Sequence, residues 1–310
     1  MDKLGTSTTR VLLTGSNGLL GQKLTDFIIQ KTNYILCCTS QGVNRNPNTV
    51  GYDFVQLDLL DQDGLKSLIL EFQPTHIIHC AAMTSVEACE QEVEKCQQLN
   101  VDLVGDLATW SKELDYHLTF ISTDFVFDGK NGPYKEGDPV KACNAYGQSK
   151  IEAEALICSS GGRAAILRTI LVYGVIADKN RSNLVLWAKQ KLEKGEKINV
   201  VDDQWRMPTW VDDLAMACIL SVKKNAEGIF HISSEQQYSI IEAVYEVADF
   251  WGLDKSLISP VHAADIGQAE NRPQRTGFYL DKAKTELGYV PTSFKESLNY
   301  IDQQIKYYNS

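Results

Sequence analysis

Two hydrophobic periods alternate along the first half of the chain. "RVLLTG" (10–15) is a short apolar run, and "LLGQKLTDFIIQK" (19–31) then returns apolar side chains at Leu20, Leu24, Phe27 and Ile28, which is helical spacing. "YILCCTS", "FVQLDLLD", a helical pattern through Leu65, Leu68 and Ile69, "THIIHCAA", a long helical stretch to Leu114 and "LTFIST" follow. This βαβα order predicts an α/β, doubly wound fold: a mostly parallel sheet with helices on both faces and a ligand crevice at the carboxyl ends of its strands.

The rhythm loosens after Tyr173. "AAILRTILVYG" (164–174) reads as one core strand, "INVVDDQ" and "ISPVHAAD" as short strands among helices, and "WVDDLAMACILSVKK" with "GIFHISS" as a return to the main sheet. The expected division is a dinucleotide-binding domain of Rossmann type from residues 1–173 plus 209–235. A smaller α+β substrate domain takes residues 174–208 plus 236–310. No internal repeat or long linker interrupts either.

Composition narrows the class. With 310 residues, 44% of them hydrophobic, the chain can bury a large core without staples. Its eight cysteines form no C-x-x-C pair, which fits reduced thiols and a cytoplasmic location. The N-terminus has no long apolar stretch, and no later run approaches the roughly 18 apolar residues of a membrane span, so neither export nor membrane insertion is expected. A net charge of −10 argues against nucleic acid as a partner. A pocket of backbone N–H groups can still hold a small anion.

Such a pocket is visible at "TGSNGLLG". Gly15, Gly18 and Gly21 stand between a strand and a helix with the spacing G-x-x-G-x-x-G. Glycine there allows the tight turn and the close approach of backbone to a pyrophosphate at the helix N-terminus. The second strand ends in "LCCTSQGVNRN", which offers Ser40 and Arg45 and no carboxylate to repel a 2′-phosphate. NADP(H) is therefore the preferred cofactor, with NAD(H) left open. Asp58 is placed to accept a hydrogen bond from the adenine amino group, while Asp61 suits the N-cap of the next helix.

"YGQSK" supplies the chemistry. Of 13 tyrosines only Tyr146 has a lysine four residues on, Lys150, and a helix brings the two onto one face. An ammonium about 4 Å from a phenol, at an effective dielectric near 20, is worth up to about 4 kcal/mol and makes the phenol a better proton donor. Thr123, at the end of "LTFIST", is placed to hold a substrate carbonyl oxygen beside Tyr146. His76 and His79 lie three apart in a strand, face opposite ways and read as packing residues rather than a metal pair. No compact carboxylate cluster demands a metal ion.

In order and at these separations, "TGSNGLLG", "IIHCAAMTSVEACE", "ISTDFVFDG", "YGQSK" and "LRTILVYG" resemble an extended short-chain dehydrogenase/reductase. Within it the chain is similar to the dTDP-4-dehydrorhamnose reductase group, which "VDDQWRMPT", "GIFHI" and "NRPQRTGFYLDKAKTELGY" carry into the second half. The resemblance implies a Thr123, Tyr146 and Lys150 catalytic set, with Lys150 also holding the nicotinamide ribose. It places Asn17, Leu19, Leu20, Leu59, Cys80, Ala81 and Ala82 against the cofactor, and Thr84, Ser85, Asp124 and Phe125 near the sugar. Arg206 and Arg272 are candidate partners of a nucleotide diphosphate, and Asn100 is expected to fix backbone around the site. The implied activity is NADPH-dependent reduction of a 4-keto-6-deoxy nucleotide sugar, most simply dTDP-4-dehydrorhamnose, by a homodimer.

Two positions depart from that group: Phe125 replaces its usual tyrosine, and Arg206 a small residue. Arginine there resembles another branch of the fold, the NADP-binding regulatory β subunit of methionine adenosyltransferase. A related epimerase or dehydratase is the remaining alternative.

Overall fold

The computed structural model describes residues 8–177 and 182–309. The sequence reading of the extreme N-terminus falls mainly on residues 1–7, outside the described residues, as do residues 178–181 of the expected smaller domain. The first half builds β1 (Arg10–Thr14), α1 (Leu19–Lys31), β2 (Ile35–Ser40), β3 (Asp53–Gln56), α2 (Gln62–Phe72) and β4 (His76–His79). After these come α3 (Val86–Gln91), α4 (Val93–Gln97), α5 (Leu103–Glu113), β5 (His117–Thr123), α6 (Ala145–Ser160) and β6 (Ala164–Thr169).

The second half contributes β7 (Val172–Tyr173), α7 (Leu184–Glu193), β8 (Ile198–Val201), β9 (Trp205–Arg206), β10 (Thr209–Trp210) and α8 (Val211–Lys224). It ends with β11 (Gly228–Ile232), β12 (Tyr238–Ser239), α9 (Ile240–Trp251), β13 (Ile258–Val261) and α10 (Phe294–Asn309). Seven strands form one sheet in the order β11-β6-β5-β4-β1-β2-β3, with every neighbouring pair parallel. The order reverses beside β1, where such sheets place their ligands. The fold is the doubly wound α/β architecture.

Alternation along the strands divides the core. Val11 and Leu13 pack with Leu24 and Ile28 of α1 and Leu214 and Cys218 of α8. Leu12 points the other way, to Leu65 and Ile69 of α2 and Leu103 and Leu107 of α5. Burial on both faces explains why these strands read as apolar runs. A third cluster joins Val185 and Leu192 of α7, Ile198 and Val200 of β8, Val244 and Val247 of α9, and Phe294 and Leu298 of α10. Phe278, Leu280, Ala283 and Leu287, assigned by sequence to the smaller domain, pack into the main-sheet core.

Two elements differ from the sequence pattern. The single strand expected across 164–174 is broken at Leu171, whose φ of 41° turns the chain so that β7 pairs with β10. The long helix expected up to Leu114 is divided into α3, α4, a π-helical turn at Gln98–Asp102 and α5. Asn100 sits in that turn. Its Oδ1 accepts from Met83 N at 2.9 Å and its Nδ2 donates to Met83 O at 2.9 Å, fixing the backbone beyond β4. Among the described residues no helix is long and apolar enough to cross a membrane.

Candidate active site

At the carboxyl ends of β1, β4, β5 and β6 lies a cavity of about 620 Å³. Gly15 turns the chain out of β1 with φ +70°, and a Cβ there would stand 2.7 Å from Ala81 N. No side chain caps the α1 N-terminus at Gly18, and its first turn has no acidic residue, so the positive end of the helix dipole opens on the cavity. These features fit a dinucleotide pyrophosphate.

Gly15, Asn17, Gly18, Leu19, Leu20, Gly21, Ser40, Asp58, Leu59, Cys80, Ala81 and Ala82 all line this cavity. Asn17 fastens the glycine loop to the segment after β2. Its N–H donates to Ser40 Oγ at 3.1 Å, its Nδ2 donates to Val43 O at 2.8 Å, and its Oδ1 accepts the Arg45 N–H at 2.9 Å. The Arg45 side chain is not on the cavity wall. Asp58 accepts from Gln41 Nε2 at 2.8 Å and from Leu60 N at 3.1 Å, and Asp61 caps α2.

Thr123 and Tyr146 meet on the opposite wall. Thr123 is the last residue of β5, and its hydroxyl accepts from Phe125 N at 3.2 Å. Tyr146 stands in the first turn of α6, capped by Asn144 Oδ1, which accepts from Gly147 N at 2.7 Å. Gly147 has no alternative: a Cβ there would run into Phe125 O. Burial raises the phenol above its ordinary pKa, the neighbouring Thr123 hydroxyl opposes this, and Asp124, Cys89 and Cys96 add to it. The phenol therefore keeps its proton.

Lys150 is buried off the cavity wall, donates from Nζ to Ile121 O at 3.0 Å, and lies 4.4 Å from the Phe120 ring centroid. Burial lowers its pKa to about 8 against the pull of Glu154. The i to i+4 spacing sets both side chains on one helical face, and Lys150 reaches the backbone of β5 at Ile121.

The expected substrate residues also divide. Thr84 lines the cavity, while Ser85 caps α3 by accepting from Ala88 N at 3.2 Å. Phe125 packs edge-on against Tyr146 at 6.0 Å, with the guanidinium groups of Arg206 and Arg272 at 5.8 and 5.9 Å from its ring centroid. Arg206 is buried and already engaged: it donates to Trp205 O at 2.7 Å and Pro273 O at 2.6 Å, and its Nε lies 3.7 Å from Asp124 Oδ2. Arg272 is ion-paired with Glu87. Neither arginine is on the cavity wall.

Sequence reasoning did not single out Gln41, Lys95, Thr169 and Val172, which also line the cavity. Thr169 and Val172 stand in "LRTILVYG", where the expected continuous strand concealed the break that turns them to the site.

The chain matches the RmlD substrate binding domain family over residues 9–306. It belongs to this family. The RmlD-family chain is 33% identical to methionine adenosyltransferase 2 subunit beta of Danio rerio, over 96% of this chain and 91% of that protein. Its fold superimposes on a dTDP-4-dehydrorhamnose reductase of Clostridium acetobutylicum with a TM-score of 0.84 at 25% identity, covering 96% and 100% of the two chains. A dTDP-4-dehydrorhamnose reductase of Bacillus anthracis, in complex with NADP, gives 0.81 at 26% identity over 96% and 99%. The extended short-chain reductase resemblance read from the motifs is thus shown at the level of family and fold.

Proposed function

We propose that this chain is an NADPH-dependent reductase of a 4-keto-6-deoxy nucleotide sugar, most simply converting dTDP-4-dehydrorhamnose to dTDP-L-rhamnose. One observation carries the reading: a neutral phenol and a threonine hydroxyl meet across the cavity from a glycine turn built for pyrophosphate. A bound nicotinamide supplies the hydride. Glycine-loop N–H groups would hold the diphosphate, and Asp58 would accept from the adenine amino group. The absence of a carboxylate at the end of β2 favours the 2′-phosphate form. Tyr146 would donate its proton to the oxygen of the reduced carbonyl, and Thr123 would hold that oxygen. Assembly as a homodimer in the cytoplasm belongs to the same proposal.

A second reading has its own support. The identity to methionine adenosyltransferase 2 subunit beta, and the internal engagement of Arg206 and Arg272, favour a dinucleotide-binding regulatory subunit. Oxidation of NADPH across a panel of 4-keto nucleotide sugars separates the readings. Consumption supports the reductase, and redox-neutral conversion supports an epimerase. Silence on every sugar, with tight NADP binding and a changed rate of an added methionine adenosyltransferase, supports the regulatory subunit.

A further inference from the structure

We infer that Asp202, Asp203 and His262 bind a divalent transition-metal ion, Zn²⁺ by the chemistry of their donor atoms, at the carboxyl ends of β8 and β13. None of the three lines the active-site cavity, so the site stands apart from the reductase reading.

The fold brings together what the sequence separates. Strands β8 and β13 pair in parallel with Val201 beside Val261, and the ladder runs on through Asp202 N, which donates to Val261 O at 3.1 Å. The residues that follow each strand therefore emerge side by side, Asp202 and Asp203 from one and His262 from the other. Asp203 is fixed through one oxygen: Oδ1 accepts from Ala263 N at 2.9 Å, which leaves Oδ2 toward the imidazole. His262 Nδ1 lies 3.1 Å from Asp202 Oδ1 and 3.8 Å from Asp203 Oδ2, and one donor atom from each of the three residues lies within 4.8 Å of the other two.

Two adjacent aspartates alone do not make a metal site. The second observation is Asp202 Oδ1, an oxygen shut off from solvent that accepts no hydrogen bond among the described residues. Although 3.1 Å away, the His262 ring nitrogen is not aligned to donate to it. A buried carboxylate oxygen without a donor is destabilising, and a cation shared with the imidazole removes the penalty. The spacing suits one: ligands bound at about 2.0–2.2 Å in a tetrahedron stand about 3.4 Å apart, between the two distances from Nδ1. An imidazole beside two carboxylates also selects the ion. Mg²⁺ and Ca²⁺ favour oxygen donors, whereas Zn²⁺ takes nitrogen and carboxylate together. The His262 side chain is 67% exposed, so the ion has a path in and water can fill its remaining positions. Bound there, Zn²⁺ would tie the 3-10 turn Ala263–Ile266 to the end of β8.

The test uses the full chain, stripped with a chelator and kept reduced, titrated with ZnCl₂ alone in a calorimeter and with CoCl₂ alone in a spectrophotometer. Wild type should bind one equivalent of Zn²⁺. His262→Ala and Asp202→Asn should each weaken that binding at least about tenfold, the lower end of what even a supporting residue contributes. His262 is exposed, so its variant keeps the fold, and Zn²⁺ should raise the Tm of wild type more than that of the variant. The eight free cysteines are the competing ligands, and Co²⁺ distinguishes them: the nitrogen and oxygen site gives visible d–d bands without the near-ultraviolet charge-transfer band of a thiolate. No Zn²⁺ binding, equal binding by wild type and the variants, or a cobalt–thiolate band at one equivalent would overturn the inference.

Discussion

Gly15 concentrates the cofactor argument in one dihedral angle. Its positive φ and the 2.7 Å approach of a notional Cβ to Ala81 N leave no room for a side chain. Gly15→Ala should cost about 1–3 kcal/mol from backbone strain alone and weaken NADP binding, read by urea denaturation and by cofactor titration of the same preparation. Unchanged binding would remove the glycine turn from the cofactor site. At this scale the sequence showed which residue types are present, and it showed less well where they point. The place of Tyr146, Thr123 and the glycines on the cavity wall was legible because it depends on position at a strand end or helix start. The direction of the Lys150 and Arg206 side chains was less legible, because it is set by partners remote in sequence: Ile121 O for the lysine, and Pro273 O with Asp124 for the arginine.

Among the elements, α6 matters most, since its first turn carries Tyr146. Asn144 does two things there: Oδ1 caps the helix, and Nδ2 donates to Asn271 O at 2.9 Å, tying the helix start to the second half of the chain. Asn144→Ala should lose about 1 kcal/mol of stability and also lower turnover, whereas loss of stability with normal turnover would mean that the cap does not position Tyr146. Helix α1 was readable to its ends, because its apolar spacing and its glycine start agree. The strand through 164–174 was not, because only the pairing of β7 with β10 explains the turn at Leu171. The π-helical turn at Gln98–Asp102 was hidden for a similar reason: the clamp of Asn100 on Met83 is a tertiary contact that overrides helical propensity.

For the whole molecule, the parallel sheet buries histidines in neutral form. Burial lowers His76 to about 4, His79 to about 3 and His231 to about 2. Below the unfolded value near 6.5, the unfolded chain binds protons that the folded chain refuses, so stability present above that pH is lost as pH falls, by up to about 1.4 kcal/mol per pH unit per histidine. Asp213, raised to about 6 by burial, acts in the opposite sense because its folded carboxyl takes a proton first. Its contribution begins near pH 6 and offsets only one of these histidines, so stability goes on falling below that pH. The urea midpoint should therefore be lower at about pH 6 than at about pH 7.5, and a flat profile would mean that these histidines are charged in the folded protein.

Fold class, layers and family were legible in the motifs, while the sugar and the choice between enzyme and regulatory subunit depend on what enters the cavity. That choice can be read from one transfer. With NADPH deuterated at the reactive ring carbon and dTDP-4-dehydrorhamnose as acceptor, the reductase account predicts one deuterium on the former carbonyl carbon, formed at least about 100-fold more slowly by Tyr146→Phe at equal cofactor occupancy. No deuterium in the sugar, or equal transfer by both proteins, would contradict it.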